Sequence, residues 1–225
     1  EPSELQKSVV KDIEIKSLRN RATKPLYLDK AIEGTVVEQG YCKFIGGGDS
    51  AAIMSKSSAI DNISKADGKY YLFDLGRENV GFPEISFNAE SECEVFIGWG
   101  EHIVDGKCRA AIHSRRFTTE ILAKEGANHY FPVLRRFGLR YMQIYFSSTN
   151  VTNVSLKFHP SLLPVDIKPL ELFGEKASLR KKIRNTAIHT LRCCMHEHYE
   201  DCPWREQALW NFDARIQMLL GYYVW

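Results

Sequence analysis

No stretch of this sequence approaches the ~20 consecutive apolar residues that a membrane-spanning helix needs, because Lys, Arg, Asp or Glu interrupts every hydrophobic run of that length. A helical membrane span is excluded. Charge of one sign is also missing: 30 Lys and Arg face 28 Asp and Glu, a formal +2. No global field is available to recruit nucleic acid or an anionic surface, so local sites must carry any specificity. The six cysteines, Cys42, Cys93, Cys108, Cys193, Cys194 and Cys202, form no CxxC pair. Cys193 and Cys194 are adjacent, which suits neither a zinc knuckle nor a redox motif. Free buried thiols are the expectation, with three disulfides as the alternative. The first residues, Glu1-Pro2-Ser3-Glu4, carry neither an initiator Met nor a charged-then-apolar leader, as expected of a processed terminus or a cut inside a longer chain.

What is present is a globular composition. With 225 residues, 44% hydrophobic and 26% charged, the chain can bury a sizeable core as one large domain or two small ones. From Tyr27 to about Phe158 short β-rich runs recur at Gly34–Glu38, Tyr70–Leu75, Glu84–Asn88, Cys93–Trp99, Phe117–Leu122, Tyr141–Phe146 and Val154–Phe158. Gly46-Gly47-Gly48, Asp67-Gly68, Asp105-Gly106 and Glu125-Gly126 punctuate them, so consecutive strands reverse and residues 25–160 read as an antiparallel β-sandwich. Pro160, Pro164 and Pro169 then interrupt both the strand and the helix period and mark a linker.

Beyond the linker, Leu179, Ile183, Ala187, Leu191 and Met195, with Ile188 and Cys194 beside them, make one apolar stripe along a helix of about 20 residues. Its other face carries Arg180, Lys181, Arg184 and Arg192, read as solvated surface. A second helix is expected to start at Asp201-Cys202-Pro203, where Asp caps and proline suits the first turn. A short loop with His196, His198 and Tyr199 would join the two. The second helix is too apolar for a terminal surface helix, so its packing partners are expected outside these residues, in a longer chain.

Asp201 to Asp213 packs three carboxylates, a guanidinium and two indoles into one stretch: Asp201, Glu206, Asp213, Arg205, Trp204 and Trp210. On a helix Glu206, Trp210 and Asp213 would fall at i, i+4 and i+7, one stripe. An aromatic ring between carboxylates suits a sugar: the ring packs on the pyranose face, while carboxylates and Arg take hydroxyls or serve as acid and base. Helical spacing would put Glu206 and Asp213 ~10 Å apart along the axis, too far for a retaining pair. A solvated charged face is the competing reading.

The same residues resemble a known family. Asp201-Cys202-Pro203-Trp204-Arg205-Glu206-Gln207-Ala208-Leu209-Trp210-Asn211-Phe212-Asp213 is similar to the Asp-Cys-Pro-x-Arg-Glu-x-x-x-Trp-x-x-Asp signature of bacterial α-L-rhamnosidases. Upstream, Phe73–Gly81, Trp99-Gly100-Glu101 and Tyr130–Tyr141 resemble phrases of that family's sandwich domain, so the likeness spans about residues 70–225. It implies a jelly-roll-like sandwich over residues 1–165. Residues 166–225 would then be a linker and the opening helical hairpin of an incomplete (α/α)6 barrel. It implies an inverting glycoside hydrolase acting on terminal α-L-rhamnose. Glu206 would be the general acid, and Asp201, Arg205, Trp210 and Asp213 would hold the sugar. The family's general base, a later glutamate, would lie beyond Trp225, so this stretch alone is expected to be inactive. Leu209 and Phe212 stand where relatives often have Gly. No cofactor and no metal is assigned: His196 and His198 would point apart on a helix, and Gly46–Asp49 lacks the lysine of a phosphate loop. The expected partner is a rhamnose-containing oligosaccharide or glycoside, with no nucleic acid. A bacterial periplasm or exterior is preferred to the cytoplasm as its compartment. The alternatives are a non-catalytic carbohydrate-binding or structural sandwich, and an (α/α)6 glycosidase for another sugar.

Overall fold

The computed structural model describes residues 24–45 and 48–225. Residues 1–23, with the Glu1–Glu4 start, and most of the glycine run at 46–48 lie outside the described residues. Among the described residues fourteen strands precede the two long helices: β1 Tyr27–Leu28, β2 Ile32–Glu33, β3 Thr35–Lys43, β4 Ser58–Ile60, β5 Gly68–Ala89, β6 Cys93–Gly100 and β7 Ile103–Val104. There follow β8 Lys107–Cys108, β9 Ala111–Ile112, β10 Arg115–Arg116, β11 Thr118–Ala123, β12 Gly126–Tyr130, β13 Phe137–Phe146 and β14 Val151–Leu162. Helix α1, Ser50–Lys56, lies between β3 and β4, and α2 (Ala177–Cys193) and α3 (Asn211–Val224) follow the strands.

All pairings are antiparallel, and β5 runs through the middle of one ten-stranded sheet. Its first part lies between β3 and β13, with β6 and β11 beyond, while its last part lies between β12 and β14. Tyr70–Leu75 and Glu84–Asn88, expected as separate strands, are thus parts of one 22-residue strand. The handover is at Gly81, which pairs with Phe137 of β13 on one side and Pro160 of β14 on the other. It has φ +154°, and a Cβ there would sit 2.0 Å from the His159 carbonyl oxygen. Only glycine permits that approach. Pro160, expected in the linker, is inside β14, and its carbonyl accepts from the Asp29 N–H. Proline fits there because a sheet tolerates it where its missing N–H is not called on.

Strand alternation builds the core. In β6, Val95, Ile97 and Trp99 point into the main cluster with Phe73, Leu139, Ile144 and Phe158, whereas Phe96 points the other way, to a second cluster with Met54 of α1. The six cysteines are free, five of them buried, with Cys202 partly so.

The helical part departs from expectation in two ways. In α2 only Ile188, Leu191 and Cys193 are buried, while Leu179 and Ile183 at its start are exposed. The connection to α3 is long, and α3 begins at Asn211 rather than at residues 201–203. The linker threads between the two: the Lys168 N–H donates to the Val224 carbonyl, and Arg184 Nη2 donates to the Lys168 carbonyl at 2.7 Å. No helix among the described residues is long and apolar enough to cross a membrane.

Candidate active site

The stretch 201–210 is a closed loop, and its closure explains why the expected helix does not form. The Asp201 N–H donates to the Ala208 carbonyl at 2.9 Å, and Asp201 Oδ1 accepts from the Ala208 N–H at 3.0 Å. The cap residue therefore bonds seven positions ahead, not to the next turn. Gln207 takes φ +53°, which ends any helical turn, and its Nε2 donates to the Pro203 carbonyl at 2.7 Å and the Arg136 carbonyl at 3.3 Å. Tertiary burial outweighs local propensity here: Trp204 is 4% exposed and belongs to the sandwich core, its ring centroid 4.6 Å from that of Phe117.

The sandwich is cut to receive the loop. A Cβ on Gly138 of β13 would lie 2.0 Å from the Pro203 carbonyl oxygen, and one on Gly100 would lie 3.1 Å from the Trp204 ring. A glycine within a strand pattern is the sequence sign of such an approach, and it is the sign that could have located this docking seam. A buried ion pair fixes the other side. Arg136 Nη1 donates to Glu200 Oε2 at 2.6 Å, with both side chains under a tenth exposed, and Arg136 Nη2 donates to the Cys193 carbonyl. Arg135 stacks over Trp99, 4.8 Å from the ring. Arg136 thus faces the junction, while its neighbour Arg135 packs on rings of the sandwich.

Held this way, the loop brings three of the five expected site residues together. Glu206 Oε2 accepts from Trp210 Nε1 at 2.9 Å, and Glu206 Oε1 lies 3.3 Å from Arg205 Nη2. Trp210 is the N-terminal flank of α3 rather than a mid-helix residue. The one-stripe expectation fails, yet the contact between residues 206 and 210 exists, made across a loop end. Asp201 faces the other way: Oδ1 braces Ala208 and Oδ2 accepts from the Cys202 thiol at 3.3 Å. Asp213 stands exposed in the first turn of α3, where its charge suits the helix dipole. Its side chain joins none of the hydrogen bonds or ion pairs of the described residues. Leu209 and Phe212 are exposed.

One member of the site escaped sequence reasoning. Arg115, on the β9–β10 hairpin of the sandwich, donates from Nη1 to the Arg205 carbonyl at 2.7 Å, and its Nη2 lies 3.9 Å from Glu206 Oε1. The Glu206 carboxylate is thus met by an indole N–H on one oxygen and two guanidinium groups on the other, one of which comes from the sheet domain. These donors fix where the two carboxylate oxygens lie.

The motif Phe73–Gly81 is structural: Phe73 and Trp99 are core residues, and Asp74 forms a forked pair with Arg140, both bonds at 2.9 Å. That pair, with the Gly76 N–H bond, holds the Asp74 carboxyl below the usual range.

Comparison with known proteins agrees with this architecture. Residues 64–159 match the sequence model of the bacterial alpha-L-rhamnosidase concanavalin-like domain. No curated protein matches the chain in sequence. Among solved structures, a rhamnosidase of Bacillus sp. GL1 is 23% identical with a TM-score of 0.59, covering 73% of this chain and 17% of its own. A rhamnosidase of Klebsiella oxytoca, with rhamnose bound, is 17% identical with a TM-score of 0.60, covering 88% of this chain and 41% of its own. The alpha-L-rhamnosidase of Dictyoglumus thermophilum is 17% identical with a TM-score of 0.62, covering 90% of this chain and 20% of its own. The chain spans less than half the length of each. Residues 64–159 are thus similar to the concanavalin-like domain of the bacterial alpha-L-rhamnosidases, and the fold of strands and helical start is shared with the solved rhamnosidases.

Proposed function

We propose that this chain is the sandwich (residues 1–165) and the start of the catalytic helical domain (residues 166–225) of a glycoside hydrolase that removes terminal α-L-rhamnose with inversion. The observation that carries the reading is the Glu206 carboxylate, held by Trp210 Nε1 on one oxygen and by guanidinium groups on the other, on a loop docked into the sandwich core. Glu206 is the general acid that protonates the leaving oxygen. Arg205 and Trp210 border it, so sugar hydroxyls and a pyranose face have donors and a ring beside the acid. Asp213 adds a carboxylate at the exposed rim. Asp201, whose oxygens are occupied within the loop, contributes by shaping it. The base that activates water comes from residues after Trp225.

The test uses the full-length protein. Release of p-nitrophenol from p-nitrophenyl α-L-rhamnoside reports the sugar, and an anomeric assay by NMR reports inversion. Glu206→Gln is expected to abolish turnover of rhamnosyl disaccharides, whose poor leaving groups need the acid, more completely than that of the aryl rhamnoside. Undiminished disaccharide turnover by Glu206→Gln removes the assignment. An unreactive wild type moves the reading to a binding module or another sugar.

A further inference from the structure

We propose that Arg115 of the sandwich is a positioning residue for Glu206, so that the sheet domain takes part in setting the acid's geometry; this rests on the reading of Glu206 as the general acid. Arg115 is firmly placed. The β9–β10 hairpin pairs Arg115 with Ile112 and Arg116 with Ala111, and turns through His113 at φ +51°. Its base is tied on both sides. The Phe117 N–H donates to the Ala110 carbonyl at 2.8 Å, with Phe117 and Ala110 both buried. Arg116 Nη1 donates to the His113 carbonyl, and Arg116 Nε reaches Asp49, the cap of α1, at 3.3 Å. A hairpin pinned in this way projects the Arg115 side chain from a rigid base.

The two contacts of Arg115 do different work. Its bond to the Arg205 carbonyl holds the backbone just before Glu206, whatever the charge of the carboxyl group. Its second nitrogen, 3.9 Å from Glu206 Oε1, biases the carboxyl rotamer. On the other oxygen Trp210 Nε1 restrains the same group. The carboxyl group is thus flanked from two parts of the protein: on Oε1 the Arg115 guanidinium of the sheet domain stands behind that of Arg205 at 3.3 Å, and on Oε2 the Trp210 indole donates from the start of α3. The planar fork of Arg suits this bridging, and a lysine ammonium cannot reproduce it. A carboxyl displaced by about 1 Å costs of the order of a hundredfold in rate.

The experiment compares Arg115→Ala, Arg115→Lys and Glu206→Gln in the full-length protein, on p-nitrophenyl α-L-rhamnoside and on a rhamnosyl disaccharide. A misplaced acid is felt where the leaving group needs a proton. Arg115→Ala is therefore expected to lower kcat on the disaccharide about ten- to a hundredfold, with little change in KM and a much smaller loss on the aryl substrate. Added guanidinium ion is expected to restore part of that kcat, whereas Arg115→Lys restores little. Three results overturn the proposal: equal loss on both substrates, a raised KM with kcat kept, or undiminished turnover while Glu206→Gln is dead. If Arg115→Ala lowers Tm sharply, Arg115→Lys decides by the same substrate contrast. If Glu206→Gln itself turns over the disaccharide normally, the reading of Glu206 falls, and with it the ground for Arg115.

Discussion

Trp204 lies across Phe117 with ring centroids 4.6 Å apart, so the loop that presents Glu206 is packed as part of the sandwich core. The indole is 4% exposed and also meets His102 edge-on at 5.9 Å. The junction between sheet and helices is therefore an interior, and the motif's position depends on the sandwich.

Trp204→Ala removes a buried aromatic from that interior and leaves a cavity. Such truncations cost about 3–5 kcal/mol. The expected result is a lower urea midpoint together with faster amide exchange over residues 201–208, because the same change unfastens the loop. A loss of stability with unchanged exchange there would mean that the loop is held without the indole.

Gly138→Ala probes the same seam from the opposite side. A methyl group would sit 2.0 Å from the Pro203 carbonyl oxygen and 2.4 Å from its carbon, both backbone atoms that cannot swing aside. The loop has to lift, while β13 itself can accept alanine. The comparison is Gly76→Ala: Gly76 has φ +80° with open space around its added methyl, so only the left-handed backbone is penalised, at about 1–2 kcal/mol. Exchange over residues 201–208 is expected to rise in Gly138→Ala and to stay unchanged in Gly76→Ala.

Glycines also mark where the sequence was readable and where it was not. Period-2 patterns located β3, β5, β6, β11, β13 and β14, because each strand's alternation depends on only two faces, whereas β12 begins at Gly126, which reads as a turn. The joining of residues 70–75 and 84–88 into one strand was not readable, since Gly76 and Gly81 look like turn punctuation and the handover at Gly81 needs both neighbouring strands. Helical spacing put Trp210 beside Glu206, and the structure brings the two together across a loop end instead of on a helix. The helix drawn through it was an error of context: Asp201-Cys202-Pro203 is a strong local start signal, overruled by the burial of Trp204 and the left-handed Gln207. Arg115 carries no local signal, because it meets the loop 90 positions away in sequence.

The Arg136–Glu200 pair gives a third measurement. With N and O 2.6 Å apart and both side chains under a tenth exposed, it joins the residue just before β13 to the segment entering the loop. Arg136→Leu strands a buried carboxylate, which costs about 3–5 kcal/mol, whereas combining Arg136→Leu with Glu200→Gln, which removes the stranded charge, should recover much of it. A double-mutant cycle in urea checks this. Additive single losses would show that the two groups do not act as a pair.

Glu78 sets the expected pH dependence of stability. It lies on β5 facing the junction, and neither of its carboxyl oxygens has a hydrogen-bond partner among the described residues. Burial, with the charge of Glu101 as a lesser cause, pushes its pKa up from 4.5 to about 8. The folded state then keeps a proton that the unfolded chain releases, so between pH 4.5 and 8 the native form binds more protons than the unfolded form. Stability contributed by the neutral carboxyl is fully present below the unfolded value and is lost as pH rises through the folded one. The slope from this group is at most ~1.4 kcal/mol per pH unit. Glu78→Gln removes the titration while keeping the shape. Its urea midpoint is expected to match wild type near pH 5, to exceed it near pH 8, and to vary less between the two. A wild-type midpoint that rises over this range, with Glu78→Gln following in parallel, would show that Glu78 is ionised in the folded protein.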